Sequence, residues 1–404
     1  MTDAHDRKPL SGFRVLDFTS FLSGPFCTQV LADLGADVVK VEPPCGDSSR
    51  HIPPHFVEGD SAYFLANNRQ KSSVVLDMKD PDGLKLAERL IAASDVVVEN
   101  FRPGVMRKLG LDPEDMRSRH PDLIWAAITG FGQDSPWSKR PAYDMIVQAL
   151  SGVMSLTGEP GRPAARLGIP AGDVVAGLYA VIAIAAVLAD RSRGGGGRTI
   201  DVAMLDCQLS MLSYQSAYAL IGGVTPGPQG ARHDSIPTYR SFRCGDGCEI
   251  VVTANTEAMW RGLCKALGRE DLLADPRFAT AIARLDNRAA LWAQLEPAFA
   301  TRSAAEWVAL MEAHEVPVAP IKTVPEALQD ARDHGREMIQ TLQRGDTKIE
   351  VVGNPIRFRP SPPPRESTYP PAIGADTASV LQSWLDLTQP ELQSLQATGA
   401  FGSR

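Results

Sequence analysis

The sequence predicts an α/β fold built on an open, largely parallel sheet, with a smaller α+β domain inserted in the middle of the chain. In the first third, short apolar segments alternate with amphipathic segments, the pattern of parallel strands joined by crossover helices. In the middle, a Gly-Asp-Gly turn separates two alternating segments in "RSFRCGDGCEIVVTAN" (240–255), which predicts a hairpin. The length of 404 residues exceeds what one core usually covers and favours two domains.

The elements of the first third follow one another in the order that crossover connections require. Pro25 opens the first predicted helix and Gly35 ends it, while Asp80 and Pro81 open the second. The predicted strands are "FRVLDFT" (13–19), "ADVVKVEP" (36–43), "SSVVLDM" (72–78), "DVVVEN" (95–100) and "DLIWAAITGF" (122–131). The predicted helices are "PFCTQVLADLG" (25–35), "DPDGLKLAERLIAAS" (80–94) and "RPGVMRKLG" (102–110). Open sheets of this kind usually bind their ligand where the strands end.

The middle of the chain and its tail have a different pattern. The stretch "LGIPAGDVVAGLYAVIAIAAVLADR" (167–191) indicates a long buried helix, because scarcely a polar side chain follows Asp173. A loop-rich stretch and three helical segments follow, and a proline-heavy tail (357–387) leads into a last helix. We expect a large domain over 1–207, a small α+β domain over 225–320 and a return to the large domain over 330–404.

Composition and missing motifs argue against several classes of protein. A net charge of −7, from 41 basic and 48 acidic residues, argues against a nucleic-acid partner. The N-terminus has no apolar signal core, the six cysteines match no disulfide framework, and the apolar run at 174–189 is shorter than the roughly 20 residues that span a bilayer. We therefore expect a soluble, cytoplasmic protein with no membrane partner.

Fingerprints of common cofactor sites are also missing. The sequence contains neither the G-x-G-x-x-G dinucleotide motif after its first strand, nor a phosphate-binding P-loop, nor a G-x-S-x-G elbow. The segment "CGDGC" (244–248) has no second pair of ligands, and its glycines suit a hairpin tip, so no metal is expected there.

Basic side chains cluster beside two neighbouring predicted strands. They are Arg102, Arg107 and Lys108 in "VENFRPGVMRKLG" and Arg69, Lys71 and Lys79 in "NNRQKSSVVLDMK". Each segment alone is consistent with solvated surface charge. Two clusters at one edge of a sheet, one of them at the start of a helix, favour a phosphorylated ligand.

Asp173 lies at the start of the long helix, where two roles are open to it. An Asp after Ala-Gly at a helix start is usually an N-cap, whose carboxylate accepts a hydrogen bond from the first turn. A carboxylate kept ionised by the helix dipole, with apolar neighbours that exclude water, is also a competent nucleophile toward an activated acyl group. The two roles are compatible, and periodicity does not decide between them.

Several blocks, in order along the chain, resemble the class III coenzyme A transferases of the CaiB/BaiF type, a family that includes formyl-CoA transferases and, as a divergent branch, α-methylacyl-CoA racemase. The blocks are "GFRVLDFTSFLSGPFCTQVLADLGADVVKVEPPCGD", "NRQKSSVVLDMKDPDG", "VENFRPG", "ITGFGQDSPWSKRPAYDMIVQALSG" and "AGDVVAGLYA". The resemblance runs from Leu10 to "PPAIGADT". It implies a Rossmann-like large domain, an inserted smaller domain and an interlocked homodimer.

The resemblance also implies a reaction. Asp173 would attack the thioester of a donor acyl-CoA to give a mixed anhydride and CoA thiolate, and the thiolate would return to make an aspartyl-CoA thioester. An acceptor carboxylic acid would then receive the CoA through a second anhydride. This chemistry needs no metal and no permanently bound cofactor, because coenzyme A and acyl-CoA are substrates.

Site residues follow from the resemblance where the blocks match. The implied CoA contacts are Leu22 and Ser23 at the pantetheine arm, Leu76 and Lys79 at the adenine and phosphates, Asn100 and Phe101 along the nucleotide with Arg102 beside them, and Val105 and Lys108 beyond. Pro43 stands where some members have a basic residue, which shifts that phosphate contact to Arg50 or Arg69.

The acid pocket is implied by three further residues. Tyr63 and Tyr143 match positions that line it in oxalate-using relatives. The stretch "GARHDSIPTYRSF" resembles the branch that uses succinyl-CoA and dicarboxylic acids such as glutarate. His233 in this stretch either faces the acceptor or is a structural loop histidine.

Two alternative functions stay open. A racemase needs an acid/base pair at the α-carbon, and racemase-like relatives carry a histidine where this chain has Tyr143, whose ordinary pKa near 10 suits proton abstraction poorly. A non-catalytic CoA-binding protein would keep the basic clusters but has no need of the Gly172–Asp173 pair. Both alternatives are weaker than the transferase hypothesis.

Overall fold

The computed structural model describes residues 7–360 and 367–402, which form two compact units. Unit 1 has the bounds Met1–Val153, Arg166–Val224 and Gly335–Arg404, and unit 2 has the bounds Met154–Ala165 and Thr225–His334. The small domain predicted from the sequence covers 225–320, whereas unit 2 comprises 154–165 and 225–334.

Strands and helices alternate through the first third of the chain. The strands are β1 (Arg14–Asp17), β2 (Asp37–Glu42), β3 (Phe56–Val57), β4 (Asp60–Ser61), β5 (Lys71–Val75), β6 (Val96–Glu99), β7 (Ile124–Thr129), β8 (Thr199–Ala203), β9 (Arg240–Arg243), β10 (Glu249–Val252), β11 (Val318–Pro320), β12 (Ile339–Arg344) and β13 (Thr347–Val352). The helices are α1 (Ser23–Asp33), α2 (Ala62–Leu65), α3 (Pro81–Ala92), α4 (Val105–Lys108), α5 (Pro113–Arg119), α6 (Asp144–Leu150), α7 (Val153–Leu156), α8 (Ala171–Arg191), α9 (Met204–Met211), α10 (Tyr214–Leu220), α11 (Glu257–Ala266), α12 (Asp271–Ala274), α13 (Ala281–Asp286), α14 (Arg288–Phe299), α15 (Ala304–Ala313), α16 (Val324–Asp333), α17 (Thr377–Leu385) and α18 (Gln389–Thr398).

A six-stranded sheet lies at the centre of unit 1, in the order β5-β2-β1-β6-β7-β8. Every neighbouring pair in it is parallel, which confirms the predicted open parallel sheet. From β1 the chain first builds outward through β2 to β5 and then returns to add β6, β7 and β8 on the other side. The strand order therefore reverses between β1 and β6, which makes the C-terminal ends of these strands the expected ligand crevice.

Each face of the sheet packs against its own helices. Val15 of β1 enters one core together with Leu31 of α1 and Ile184 of α8, while the next residue, Leu16, enters the other core together with Leu90 of α3. These strands are thus buried on both faces, which explains their near-continuous apolar sequences.

One predicted helix begins as expected, and another is shorter than expected. Helix α3 begins as predicted, because the Asp80 carboxylate accepts hydrogen bonds from the main-chain N–H groups of Asp82 and Gly83. The helix predicted over 102–110 is only the four residues of α4, because Gly104 before it has a φ of +82°, outside the helical region. Arg102 therefore lies in a turn, and no long helix adds its N-terminal dipole to that basic cluster.

Helix α8 is longer than the apolar run that predicts it. It spans 21 residues, Ala171–Arg191, so its length and composition alone would allow it to cross a membrane, and the length argument made from 174–189 does not hold. Half of its most apolar stretch is nevertheless buried, and the helix packs against α1, α6, α9 and β7.

Unit 2 contains the predicted hairpin. Strands β9 and β10 pair antiparallel, and β11, which the sequence analysis missed, pairs with the other edge of β10. Its helices close a core of large aromatic side chains, including Phe242, Trp260 and Trp307. Cys244 and Cys248 lie on either side of the hairpin tip, where the main-chain N–H of Cys244 donates to the carbonyl of Cys248 at 2.8 Å. In the described part of the chain, no group of three or more His, Cys, Asp or Glu side chains could hold a metal ion.

The end of the chain returns to unit 1. It contributes the antiparallel pair β12–β13, which was not predicted, and the helices α17 and α18. Helix α17 packs against β5 and α3, as expected for a tail that completes the large domain. Residues 361–366 of the proline-heavy tail lie outside the described residues.

Candidate active site

A cavity of about 320 Å³ lies in unit 1, lined by the turns that follow β1, β6 and β7. The cavity lies at the C-terminal ends of the strands, where the strand order reverses. The predicted site residues that line it are Ser23, Tyr63, Asn100, Phe101, Arg102, Tyr143 and Asp173. Its lining also includes residues that were not predicted as site residues, among them Phe21, Arg140 and Asp144. One cavity thus joins the candidate nucleophile, aromatic side chains and cations.

Asp173 is the third residue of α8 rather than its N-cap. The N-cap position is occupied by Pro170, and Asp173 makes no capping hydrogen bond, so the predicted capping role is wrong. Burial, reinforced by the charge of Asp144, raises the pKa of Asp173 to about 7, although hydrogen bonds from Ser23 oppose this rise. Its carboxyl group is therefore freed from a structural role and is poised to be ionised near neutral pH.

Asp144 performs the capping instead. Its Oδ1 accepts the main-chain N–H of Gly172 at 2.7 Å, and its Oδ2 accepts from Gln148 at 2.7 Å. A Cβ atom at Gly172 would lie 2.6 Å from Gln208 Nε2 and 3.0 Å from Asp144 Oδ1, which explains why glycine precedes the carboxylate. The residues of the cap are 28 positions apart in sequence, so no local pattern reveals them.

Ser23 joins α1 to α8 at the carboxylate. It is the first residue of α1, it is buried, and it lines the cavity together with Asp173, whose pKa its main-chain N–H and hydroxyl act to lower. The N-cap of α1, Leu22, provides no side-chain cap. The N-terminus of α1 therefore lies at the same cavity as Asp173, and the positive end of its helix dipole favours the ionised carboxylate.

Asn100 lines the cavity with its amide already engaged. Its Oδ1 accepts the main-chain N–H of Ser20 at 2.9 Å, and its Nδ2 donates to the carbonyl of Ser20 at 2.8 Å. The predicted contact between Asn100 and the nucleotide would have to coexist with this pair of hydrogen bonds.

The two tyrosines of the predicted acid pocket lie in different environments. Burial, together with the charges of Asp173 and Asp144, raises the pKa of Tyr63 to about 12, so its phenol stays a hydrogen-bond donor at neutral pH. Tyr143 is the N-cap residue of α6 and is 69% exposed.

Cations line the same cavity. Arg102 lies in the turn after β6, and Arg140 stacks on Trp137 with its guanidinium carbon 4.5 Å from the ring centroid. Fixed guanidinium groups suit carboxylates and phosphates, because their planar donors bind two oxygens at once.

Seven predicted residues lie outside this cavity. Leu22 is buried, Leu76 is fully buried in the apolar core beneath β5, and Val105 is half-buried in α4. Lys79 and Lys108 are exposed, and Arg69 is buried in an ion pair with Asp33. His233 belongs to unit 2, where its ring stacks on Tyr239. The side chain of Leu76 cannot reach a ligand without unpacking the core.

Two further basic residues also form ion pairs with carboxylates. Arg50 pairs with Glu42 at 2.7 Å and Asp60 at 2.8 Å, and Lys71 pairs with Asp17 at 3.1 Å. The expectation that Arg50 or Arg69 replaces a phosphate contact is therefore not supported by their side-chain partners, because both guanidinium groups are already paired.

The arrangement suits nucleophilic chemistry at an acyl group. A carboxylate whose pKa lies near 7 is available in ionised form, and Ser23 supplies donors beside it. The cavity residues include no thiol and no histidine that would act as an alternative nucleophile or base. A carboxylate that attacks a thioester forms an anhydride, which is similarly activated and can pass the acyl group on.

Comparisons with known proteins show which chains this one is similar to. Residues 10–377 match the model of CoA-transferase family III. A succinate–glutarate CoA-transferase of Agrobacterium fabrum is 38% identical over 94% of this chain and 97% of that protein. A succinyl-CoA:glutarate CoA-transferase of Mus musculus is 36% identical over 99% of this chain and 92% of that protein. Among solved structures, a CaiB/BaiF family protein from Brucella suis superimposes with a TM-score of 0.84 at 37% identity, covering 94% of this chain and all of that one.

Proposed function

The chain belongs to CoA-transferase family III, and from that premise we propose that it transfers CoA from succinyl-CoA to a dicarboxylic acid such as glutarate, with Asp173 as the nucleophile. The names of the relatives support the choice of donor and acceptor. The observation that carries the role of Asp173 is its position in the cavity, with a pKa near 7 and two donors from Ser23.

The first half of the reaction removes CoA from its donor. A carboxylate oxygen of Asp173 attacks the thioester carbon, and the bond from that carbon to sulfur breaks. The products are a mixed anhydride of Asp173 and free CoA thiolate. The thiolate then attacks Cγ of Asp173, which releases the donor acid as its carboxylate and leaves an aspartyl-CoA thioester.

The second half repeats these steps with the acceptor. A carboxylate oxygen of the acceptor attacks Cγ of Asp173, and the thiolate leaves again. The thiolate attacks the acceptor's carbonyl carbon in the new anhydride, which releases the acceptor as its CoA thioester and restores Asp173. No proton, metal or redox partner is consumed, since each step exchanges one activated acyl bond for another.

The cavity supplies electrostatic help at each step. The Ser23 N–H and hydroxyl favour the ionised form of Asp173, and the Tyr63 phenol remains a donor. Arg102 and Arg140 supply positive charge for a second carboxylate or for the CoA phosphates. Preorganised donors of this kind stabilise the charge that develops during acyl transfer.

Capture of the acyl intermediate tests the proposed function. Incubation with succinyl-CoA and hydroxylamine is expected to convert Asp173 to a hydroxamate, found by mass spectrometry in the peptide that spans 167–191. Acceptor acids would then be screened with succinyl-CoA as donor. An unmodified peptide with every acyl-CoA donor tried would contradict the covalent route. It would favour the racemase alternative, whose test is proton exchange at an acyl α-carbon.

We also propose that the enzyme is a cytoplasmic, interlocked homodimer. Helices α6, α8 and α9 contact one another, and their outer faces expose large apolar side chains such as Ile146, Ile182 and Leu209. Apolar surface shared by neighbouring helices supports burial against a second copy of the chain. All six cysteines are free, which supports a reducing compartment.

Charge on this surface is expected to break the dimer. Ile182 is 62% exposed on α8, so Ile182→Glu is expected to prevent assembly, and the variant should sediment as a monomer in sedimentation velocity at micromolar concentration. Ile282→Glu, at a similarly exposed isoleucine of unit 2, serves as the matched control. Interlocking further predicts that tagged and untagged dimers exchange subunits only after joint unfolding and refolding. A wild-type monomer at these concentrations would refute the proposal.

A further inference from the structure

The turn formed by Thr19, Ser20 and Phe21, hereafter the clamped turn, connects β1 to the start of α1. Side chains bind main-chain groups of all three of its residues. Asp17 accepts the N–H of Thr19 at 2.8 Å, and Lys40 Nζ donates to the carbonyl of Thr19 at 2.7 Å.

Side chains also bind main-chain groups of the other two residues of the clamped turn. Asn100 binds both the N–H and the carbonyl of Ser20, and Asp47 Oδ1 accepts the N–H of Phe21 at 3.3 Å. Phe21 has a φ of +63°, a left-handed conformation that residues other than glycine seldom adopt. A strained residue persists only where its surroundings fix it, and such residues cluster at active sites. Phe21 and Ser20 both line the cavity around Asp173.

The ion pair beneath the clamped turn is fully buried. Lys40 Nζ lies 2.9 Å from the carboxylate of Asp47, and neither side chain is more than about one hundredth exposed. Buried ion pairs contribute little stability compared with apolar residues of the same volume, because both charges lose their hydration. A buried pair whose members also bind the main chain of one turn therefore points to a role in fixing that turn.

The turn determines where the donors of Ser23 lie. Ser23 follows the clamped turn by two residues, and its Oγ is 3.4 Å from Nδ2 of Asn100. Helix α8 restricts it from the other side, because a Cβ atom at Gly177 would lie only 2.8 Å from the carbonyl oxygen of Ser23. Ser23 is thus held between α8 and the clamped turn.

We propose that Lys40 and Asp47 are positioning residues of the transferase reaction, which hold the clamped turn in the conformation that directs the Ser23 donors at Asp173. The inference rests on the proposed role of Asp173 as nucleophile. Neither Lys40 nor Asp47 lines the cavity, so both act through the turn and not on the substrate.

Replacement of Asp47 tests the proposal through turnover and its pH dependence. Asp47→Ala removes the acceptor of the Phe21 N–H and leaves Lys40 unpaired. We expect kcat to fall about 10- to 100-fold while KM for succinyl-CoA changes less than about threefold, because misplaced catalytic groups slow the chemical step. The acid limb of the pH–rate profile is expected to move to higher pH. Burial and the charge of Asp144 raise the pKa of Asp173, and in the variant the Ser23 donors no longer oppose this rise. Tyr63 stays neutral throughout. Asp47→Asn keeps an acceptor for Phe21 and is expected to recover part of the lost rate.

Asp95→Ala is the matched control. Asp95 also accepts a main-chain N–H next to β1, from Arg14 at 2.8 Å, and pairs with Arg191 at 2.6 Å, but at the opposite end of the strands. It is expected to lower the melting temperature without moving kcat or the pH profile. The rate of hydroxamate formation at Asp173 separates the two proposals: no hydroxamate in the wild type would refute the proposed function, whereas equal rates in the wild type and Asp47→Ala would refute the role of the clamp. A loss of kcat in Asp95→Ala equal to that in Asp47→Ala would also overturn it.

Discussion

Asp173→Asn is expected to abolish CoA transfer, with kcat at least about 10⁴-fold lower, while CoA still binds. The amide has nearly the same shape as the carboxylate but cannot form an anhydride or a thioester, so the covalent route is closed. Steady-state transfer with succinyl-CoA and binding of CoA by calorimetry are the measurements. Asp190→Asn, at the other end of the same helix, is the matched control and is expected to keep full turnover. Residual turnover within tenfold of the wild type would show that Asp173 is not the nucleophile.

The same substitution is expected to stabilise the folded protein at alkaline pH. The folded state holds the pKa of Asp173 near 7, above its ordinary value of 3.8, so ionisation of this carboxyl group disfavours folding. The wild type therefore loses stability as pH rises from about 4 to about 7, and Asp173→Asn does not. Denaturant unfolding at pH 8 should favour the variant by on the order of 2–4 kcal/mol. At pH 4 this advantage should largely vanish, because the wild-type carboxyl group is then protonated in the folded state.

Asp144→Asn is expected to move the acid limb of the transferase pH profile to lower pH. Removal of the neighbouring negative charge leaves burial as the main cause that raises the pKa of Asp173, so the nucleophile ionises at lower pH. The asparagine keeps Oδ1 as an acceptor for the Gly172 N–H, so the cap of α8 is preserved. Relative to its own plateau, the variant should react about three- to tenfold faster than the wild type at pH 6. The measurement is the rate of hydroxamate formation between pH 5 and pH 9.

Asp144→Ala distinguishes the effect of the Asp144 charge from the effect of its cap on α8. It removes the same charge and also the cap of α8, so we expect both the shift to lower pH and a loss of about 1 kcal/mol of stability. An acid limb that stays in place in both variants, or that moves to higher pH, would contradict the like-charge effect of Asp144.

The sequence alone predicts the sheet and its crossover helices because their signals are local. Alternating apolar segments identify the strands, and Asp80 with Pro81 marks the start of α3 within three residues. The short α4 is less predictable, because the left-handed conformation of Gly104 is decided by how the turn after β6 packs. The hairpin β12–β13 also escapes prediction, since its strands carry a mixed polar pattern.

The site is less accessible to sequence reasoning than the sheet. Asp173 could be chosen by resemblance, Phe101 and Ser23 came with the same blocks, and Tyr63 came from its match to the acid pocket of oxalate-using relatives. The cap on α8 was assigned to the wrong aspartate because Asp144 reaches Gly172 across 28 residues. Leu76 matches a family position, yet only the packed structure reveals that its side chain is fully buried. Tertiary packing decides which distant residues become partners and which side chains are buried. Local sequence patterns do not reveal either.

The cap on α8 has a consequence for the order in which the molecule folds. The first turn of α8 lacks a capping side chain of its own and borrows one from α6. The amide of Gly172 can therefore acquire full protection from hydrogen exchange only after α6 has docked. In pulse-labelling experiments during refolding, the amide of Gly172 should become protected later than amides in the middle of the helix, such as that of Ile184. The chemistry of this enzyme would then switch on at one of the last steps of its assembly, after the helix that bears the nucleophile has already formed.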